Sequence, residues 1–472
     1  MHYHLTTLGC QMNHSDSERV RTVVEGMGYA WTDNEQEADL IGILACSVRQ
    51  KAIDKVYTRI HRWNLQKEHR NLLTFVTGCL LPSDQKRFLK LFDFVFTMND
   101  LPNLPRMIRE YGVVSPVAVA GHSEADAVIP PQKGALLSIE SLTGEDRTES
   151  RHAMAAAWMI EPTPQSRFQA YVPIQNGCNK FCTFCAVPYT RGREVSRRSE
   201  AIIDEVRSLV DRGFRSITLL GQNVNSYGRD RRNSELSFAE LLRRIGDYGE
   251  HCGRPFWVYF TSPHPRDMTP DVIETMARYR CLAKQVHLPL QSGDDKVLLR
   301  MNRQHSVERY REIVETVRRH LPQATLFTDI IVGFSGETEA QFENTLSVVA
   351  SIEFNMAFIA MYSARPGAAS WRWPDDVPRD EKKRRYHALN EVVSRQSMAW
   401  NRRLVGRELP VLVTGMDRKG ERLIGLTEGK VNVRLASDDN TLIGRFVNAA
   451  VTDALPFCLD SEPAGVREAT LA

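Results

Sequence analysis

Three closely spaced cysteines constrain this chain more than any other feature. Cys178, Cys182 and Cys185 are separated by three and then two residues, in the segment GCNKFCTFC. Three thiolates on one short loop can bind three irons of a cubane [4Fe-4S] cluster. No fourth cysteine follows within reach, so one iron would stay open to another ligand. We call residues 178–185 the clip.

A zinc site and a disulfide both fit the clip less well than a cluster does. A zinc site needs four protein ligands, usually two C-x2-C pairs or cysteines with histidines, and the nearest histidine downstream is His251. A disulfide with one spare thiol fits the count. However, the first residues lack a charged-then-apolar signal segment, so we expect reduced, intracellular cysteines. The spacing therefore indicates an iron-sulfur cluster.

The composition is that of a soluble protein with several domains. The chain has 472 residues, 42% of them hydrophobic and 25% charged. No run approaches the ~18 apolar residues of a membrane helix. We therefore expect a cytoplasmic protein that does not contact a membrane. The formal net charge is only +3, so a nucleic-acid partner has to be inferred from local clusters of charge.

The first 112 residues alternate between predicted strands and helices, as in an open parallel sheet. Cys10, Cys46 and Cys79 each follow one of three predicted strands and precede a predicted helix. The carboxyl ends of parallel strands share one edge of a sheet, and a helix amino terminus favours a thiolate. These thiols either form a second cluster site or are three unrelated buried cysteines.

The rest of the chain divides into three parts. Periodicity weakens over residues 113–166, which predicts a linker or insertion. Residues 167–400 contain about six strand-helix units, which predict a partial (β/α)6 barrel with its active face at the carboxyl ends of the strands. Short strands over residues 401–465 predict a small OB-like β-barrel. The predicted fold class is therefore α/β with several domains.

A basic segment precedes and enters this small barrel. Residues 379–422 contain twelve Lys or Arg and six Asp or Glu, an excess of six positive charges. Such a run is usually the solvated face of a helix. Beside a small barrel it also suits a surface that follows RNA phosphates.

Motifs along nearly the whole chain resemble those of the radical S-adenosylmethionine methylthiotransferases. The clip resembles the C-x3-C-x2-C signature of radical S-adenosylmethionine enzymes, whose open iron binds the amino and carboxylate groups of S-adenosylmethionine. Other similar segments are TLGCQMNHSDSERV, LLGQNVNSYG, TSPHP, HLPLQSGDD and TDIIVGFSGETE. Among these enzymes, GCQMN and CAVPYTRG are most similar to the branch that modifies tRNA.

The resemblance implies the cofactors. It implies two [4Fe-4S] clusters, one on the clip cysteines and an auxiliary one on Cys10, Cys46 and Cys79. S-adenosylmethionine would be both the radical source and the methyl donor. We predict that four residues contact it, although packing or loop structure would account for each more simply: Phe184, Gln222, Gln291 and Ile331. The resemblance assigns no catalytic side chain.

The resemblance also implies a function, which is methylthiolation at C2 of N6-(dimethylallyl)adenosine beside the tRNA anticodon. Alternatives are methylthiolation of a ribosomal-protein aspartate or of a different modified tRNA adenosine. The implied domains are a methylthiotransferase domain over residues 1–112, a radical S-adenosylmethionine core over 167–400 and an RNA-binding TRAM barrel over 401–465. We expect a monomer whose partners are a tRNA anticodon stem-loop and an external electron donor such as flavodoxin or ferredoxin.

Overall fold

The structure of the protein is a computed structural model that describes residues 1–48, 50–111, 136–137 and 147–468, with the backbone alone at 136–137, 147–152 and 465–468. Residues 112–135 and 138–146 lie outside the described residues, and all of them except residue 112 belong to the predicted linker. The chain forms two compact units. The first contains Met1–Gln165, Asn176–Cys178 and Cys185–Val195, and the second contains Ser166–Gln175, Asn179–Phe184 and Ser196–Ala472.

The first unit is built on a six-stranded parallel sheet, as the alternating pattern predicts. Its strand order is β2-β1-β3-β4-β5-β6. The strands are β1 (His2–Thr7), β2 (Ala30–Trp31), β3 (Leu40–Cys46), β4 (Leu73–Cys79), β5 (Phe94–Val95) and β6 (Leu136–Leu137). The helices are α1 (Gln11–Gly26), α2 (Gln50–Gln66), α3 (Pro82–Phe88), α4 (Leu104–Glu110) and α5 (Arg147–Trp158).

The central strand β3 is buried on both faces, which explains its continuous apolar sequence LIGILAC. Leu40 and Leu44 pack in one core with residues of α1. Ile41 and Ile43 pack in a second core with residues of α2. The sheet is therefore covered by helices on both sides, as parallel sheets require.

Helix α5 lies in a stretch where the sequence shows little periodicity. Three successive alanines, Ala155, Ala156 and Ala157, favour a helix through intrinsic propensity but give almost no apolar pattern. Trp158 packs against Val195, which fixes the end of the helix within the first unit.

Short elements surround the clip, and an arc of six parallel strands follows. The chain forms β7 (Gln169–Pro173), β8 (Gln175–Asn176), α6 (Val187–Thr190) and β9 (Val195–Ser196). The other strands of the arc are β10 (Ser216–Leu220), β11 (Trp257–Phe260), β12 (Gln285–His287), β13 (Thr325–Val332) and β14 (Met356–Met361). The sheets β7-β10-β11 and β12-β13-β14 are joined by a bridge between Val258 and Leu282. This arrangement confirms the predicted open (β/α)6 barrel.

Helices and short turns complete the arc. The helices are α7 (Ser199–Asp211), α8 (Phe238–His251), α9 (Pro270–Arg278), α10 (Asp295–Arg300), α11 (Val307–His320), α12 (Glu339–Ile352) and α13 (Arg379–Arg402). The 3-10 helices between the strands of the arc and after them span Val224–Ser226, Arg229–Arg231, Pro265–Asp267 and Ala369–Arg372. Two others span Met98–Asn103 in the first unit and Asn440–Leu442 in the small barrel described below. None of the helices that the structure describes combines the length and the hydropathy needed to cross a bilayer.

The predicted small barrel is confirmed as a closed five-stranded barrel of order β15-β16-β17-β19-β18. Its strands are β15 (Glu408–Met416), β16 (Leu423–Thr427), β17 (Asn432–Leu435), β18 (Phe446–Leu455) and β19 (Cys458–Glu468). Alternate residues of these strands fill one apolar core, among them Val411, Val433 and Val451. The long basic helix α13 leads directly into the barrel.

This small barrel packs on the amino-terminal end of the six-stranded arc. Phe446 stacks edge-on against Trp257, the first residue of β11, with ring centroids 4.5 Å apart. The hydroxyl of Thr325, the first residue of β13, donates to the carbonyl of Gly429 at 2.6 Å. A Cβ at Gly429 would lie 2.6 Å from the Thr325 methyl, so this approach needs glycine. The carboxyl ends of the strands lie at the opposite end.

Phe446→Ala should test how much this packing contributes to stability. Phe446 is fully buried, so we expect a loss of about 3–5 kcal/mol in the free energy of unfolding. Urea denaturation should show it as a lower midpoint. Leu299→Ala is the control, because Leu299 is 81% exposed, and it should change stability by less than about 0.5 kcal/mol. A loss for Phe446→Ala as small as the control's would contradict tight docking.

Candidate metal centres

The structure places the three N-terminal cysteines at the carboxyl edge of the first sheet. Cys46 ends β3 and Cys79 ends β4, and these two residues are direct partners in the strand register. Cys10 follows β1 and is the N-cap residue of α1. Strand β1 lies between β2 and β3, so the direction of chain progression reverses there, and ligands bind at such a point in parallel sheets.

Two of these thiols contact each other directly. A hydrogen bond with Cys46 and burial raise the pKa of the Cys79 thiol well above its usual value, although Arg191 lowers it. Binding of a metal displaces such protons, because the thiolate is the ligand form. The donor chemistry of this edge therefore fits an iron-sulfur cluster.

Arg191 supplies a buried positive charge at this edge. Its Nε donates to Cys79 Sγ at 2.8 Å, and its Nη2 donates to Asp16 Oδ2 at 2.6 Å and to Asn13 Oδ1 at 3.0 Å. Burial lowers the pKa of Arg191, but Asp16 and Cys79 raise it by more, so the guanidinium stays charged. Cys10 is also within its electrostatic range. A fixed cation suits the negative charge of a thiolate-ligated cluster.

Glycine precedes a cysteine at three of the predicted ligand positions. Gly9, Gly78 and Gly177 have φ of +134°, +105° and +81°, in the left-handed region. A Cβ at Gly78 would lie 2.6 Å from the Ala45 carbonyl oxygen, and one at Gly177 would lie 2.1 Å from that of Arg193. Only glycine allows the backbone to turn so tightly before the thiol.

The clip cysteines lie in a loop between β8 and β9. Cys178 and Cys182 are buried, and Cys185 is half-buried. Residues 300–303 hold the middle of this loop. The Thr183 amide donates to Met301 O at 3.0 Å, its hydroxyl donates to Arg300 O at 2.8 Å, and Asn302 Nδ2 donates to Phe181 O at 3.0 Å.

A second buried arginine contacts the clip. Arg303 Nη1 lies 3.4 Å from Cys182 Sγ, and its Nη2 donates to the Pro289 carbonyl at 3.1 Å. Its side-chain Nε is buried and has no hydrogen-bond partner among the described residues. A buried guanidinium is strongly stabilised by a nearby anion. This donor set therefore fits a negatively charged cluster or an anionic ligand on it.

Neither cysteine set forms a mononuclear site. Within the ranges that the structure describes, no three His, Cys, Asp or Glu side chains converge closely enough to hold one metal ion. A cubane cluster does not require three side chains to converge on one metal ion, because each thiolate binds a different iron.

Three of the four predicted S-adenosylmethionine contacts lie in one region. Phe184 and Ile331 pack against the same buried cluster, which includes Phe334. Gln291 accepts a backbone hydrogen bond from the Ile331 amide at 2.9 Å. Gln222 lies just beyond the end of β10 and is partly exposed. Their contact with S-adenosylmethionine stays a prediction.

Gln291 has an unusual backbone conformation. Its φ is +72°, which non-glycine residues rarely adopt, and the side chain is buried. Its Oε1 has no hydrogen-bond partner in the described part of the chain. Strained residues with an unpaired polar atom often occur at ligand sites. This conformation supports Gln291 as a ligand contact more strongly than its place in the sequence does.

Sequence reasoning missed a set of buried polar residues on this face. Lys180, inside the clip, pairs with the buried carboxylate of Asp267 at 2.5 Å. Burial and the charge of Arg303 hold the pKa of His264 well below its ordinary value and lower the pKa of His305 to about 4. The motif TSPHP contains His264, but nothing in its spacing indicates that the imidazole is buried.

Comparison with known proteins identifies the family. A tRNA-2-methylthio-N(6)-dimethylallyladenosine synthase of Carboxydothermus hydrogenoformans is 37% identical over 97% of this chain and 98% of its own length. One of Moorella thermoacetica is 38% identical over 98% of each chain. This chain belongs to the tRNA-2-methylthio-N(6)-dimethylallyladenosine synthase family. The match spans all the regions described above.

Family models assign three regions of this synthase-family chain. Residues 2–98 match the uncharacterized protein family UPF0004, residues 172–349 the radical SAM superfamily, and residues 402–464 the TRAM domain. A radical S-adenosylmethionine methyltransferase, TsrM of Kitasatospora setae, shares the fold with a TM-score of 0.52 and 12% identity, over 78% of this chain and 75% of that one. Radical SAM membership implies a [4Fe-4S] cluster and S-adenosylmethionine.

Cys182→Ala should remove one cluster, about four iron atoms per chain, and abolish reductive cleavage of S-adenosylmethionine. Iron assay and chromatography of 5′-deoxyadenosine measure the two losses. Cys252→Ala is the control, since Cys252 belongs to neither cysteine set and its thiol donates to the Gly249 and Arg254 carbonyls near the end of α8. Undiminished 5′-deoxyadenosine in the Cys182 variant would exclude the clip as the cluster site.

Proposed function

We propose that this protein is a tRNA methylthiotransferase that converts N6-(dimethylallyl)adenosine beside the anticodon to its 2-methylthio derivative. The observation that carries this proposal is the match over nearly the whole chain to synthases named for that reaction. The two separate cysteine sets support it, because carbon-sulfur bond formation at an unactivated C–H needs both a radical source and a sulfur source.

Two [4Fe-4S] clusters are part of this proposal, one on the clip and one on Cys10, Cys46 and Cys79. Cys178, Cys182 and Cys185 would hold the cluster that supplies the electron for reductive cleavage of S-adenosylmethionine. Cys10, Cys46 and Cys79 would hold the cluster that supplies the sulfur. The protein has to hold these groups and exclude competing reactions. Each cysteine set is contacted by one buried arginine, which matches the charge of an anionic cluster.

Several residues would orient S-adenosylmethionine. Phe184 and Ile331 offer an apolar surface in a common packed cluster, which suits the adenine ring. Gln291 offers a buried amide oxygen, which suits an amino group or a ribose hydroxyl. Residues 300–303 keep the middle of the clip in one position through five hydrogen bonds. A fixed clip reduces the reorganisation needed before reaction.

The C-terminal barrel would bind the tRNA anticodon stem-loop. Arg407, Arg418 and Lys419 are exposed, so their charges are available to phosphates. The proposal also includes an external electron donor such as flavodoxin or ferredoxin, action as a monomer and a cytoplasmic location, where tRNA is modified. The domain boundaries at residues 112, 166 and 400 stay predictions.

Replacing Cys10, Cys46 and Cys79 together by Ala should separate radical formation from sulfur insertion. The variant should still release 5′-deoxyadenosine and methionine when reduced, but it should yield no methylthiolated tRNA. Nucleoside mass spectrometry measures the methylthiolated nucleoside in tRNA. The tRNA comes from cells whose own gene is deleted and which express either the unaltered protein or the variant. Cys458→Ala, outside both cysteine sets, should restore the modified nucleoside.

Two results would contradict this function. Methylthiolated tRNA from the triple variant would mean that the sulfur has another source. Unchanged tRNA nucleosides in cells without the gene, together with loss of a methylthiolated ribosomal-protein aspartate, would indicate the other substrate class.

The triple variant Arg407→Gln, Arg418→Gln and Lys419→Gln should weaken tRNA binding and reduce the slope of log K against log salt by up to about 2–3. Each phosphate contact contributes roughly 0.7–0.9 to that slope. Glutamine at the exposed positions Arg207, Arg244 and Arg309, on outer helices, provides a charge-matched control. Equal slopes for the two triple variants would mean that the barrel cations do not contact phosphates.

A further inference from the structure

We infer that Arg191 is a positioning residue that ties the N-terminal cysteine site to Asn176, just before the clip, and sets the redox environment of the auxiliary cluster. The inference rests on the proposed two-cluster function. Arg191 lies only six residues after Cys185, yet its guanidinium contacts Cys79 in the N-terminal sheet. All the residues involved belong to the first compact unit.

A short chain of hydrogen bonds makes the connection. Arg191 Nη1 donates to Asn176 Oδ1 at 3.2 Å, and Asn176 Nδ2 donates back to the Arg191 carbonyl at 3.1 Å. Asn176 lies two residues before Cys178, whose amide donates to Gly192 O at 3.1 Å. The residue that binds Cys79 is therefore fixed to the segment that carries the first clip cysteine.

The electrostatic setting strengthens the contact with Cys79. The Arg191 and Asp16 side chains are only 6% and 10% exposed, so solvent screens the guanidinium weakly. A charged N–H donor to a cluster ligand stabilises the more negative, reduced state of the cluster, and such bonds raise the reduction potential. Asp16 orients the guanidinium and keeps its buried charge paired.

The geometry requires arginine rather than any cation. The three nitrogens of one planar guanidinium reach Cys79, Asn176 and the Asn13–Asp16 pair simultaneously. A lysine ammonium carries the same charge as a point and cannot reproduce this fork. Arg191→Lys therefore separates the effect of charge from that of orientation.

The first test measures the auxiliary cluster by itself. In full-length protein with Cys178, Cys182 and Cys185 replaced by Ala, the remaining cluster is titrated by electron paramagnetic resonance. Arg191→Gln should lower its midpoint potential, and Arg191→Lys should lower it less. Arg198→Gln is the control, because the Arg198 side chain is 75% exposed and pairs only with the exposed Glu200 among the described residues. It should leave the potential unchanged.

The second test measures coupling in protein with an intact clip. Arg191→Gln should form about 10- to 100-fold less methylthiolated product per 5′-deoxyadenosine released. Asn176→Ala keeps the bond from Arg191 to Cys79 but removes the two hydrogen bonds that join the Asn176 side chain to Arg191. It should therefore lower the product ratio with little change in potential.

The outcomes separate this inference from the proposed function. If the protein without clip cysteines binds no iron, the two-cluster function is wrong. If it binds a cluster, and Arg191→Gln and Asn176→Ala match the control in potential and product ratio, the positioning role is wrong. If Arg191→Gln fails to fold, Arg191→Lys and Asn176→Ala still test the positioning role, because a measurable change is expected for each of them.

Discussion

Parallel β-strands bring their carboxyl ends to a common edge, and the chemistry proposed for this protein depends on that geometry. In the first unit, this edge collects Cys10, Cys46 and Cys79 from positions more than thirty residues apart. Gly9 and Gly78 precede two of these thiols, with φ values that a side chain would make costly. Sheet topology and local backbone freedom together create the site.

Charge is the second constraint on both cysteine sets. Thiolates and an iron-sulfur cluster carry net negative charge, and burying that charge without compensation is unfavourable. Arg191 contacts Cys79, and Arg303 contacts Cys182, each through a buried guanidinium. The two arginines differ in their pairing, because Asp16 binds Arg191 at 2.6 Å, whereas Arg303 has no ion pair with an acidic residue in the described part of the chain. The Arg303 guanidinium beside the clip can therefore pair with an anionic ligand.

The small C-terminal barrel is attached to the core by packing rather than by a flexible connection. Phe446 and Trp257 stack at the amino-terminal end of the arc, and the Gly429 carbonyl accepts from Thr325. Lys430 adds a cation above the Tyr259 ring at 4.2 Å. The barrel is therefore held at a set orientation relative to the strands of the arc.

The sequence alone determined the elements that depend on local pattern: the parallel sheet, the open six-stranded arc, the five-stranded barrel and the spacing of the clip. Strand and helix periodicity is encoded within short windows, so it can be read without the fold. Contacts between distant positions are not encoded in this way. Only the tertiary structure brought Arg191 to Cys79 and Arg303 to Cys182, because a long side chain reaches a partner that chain topology, not spacing, places beside it.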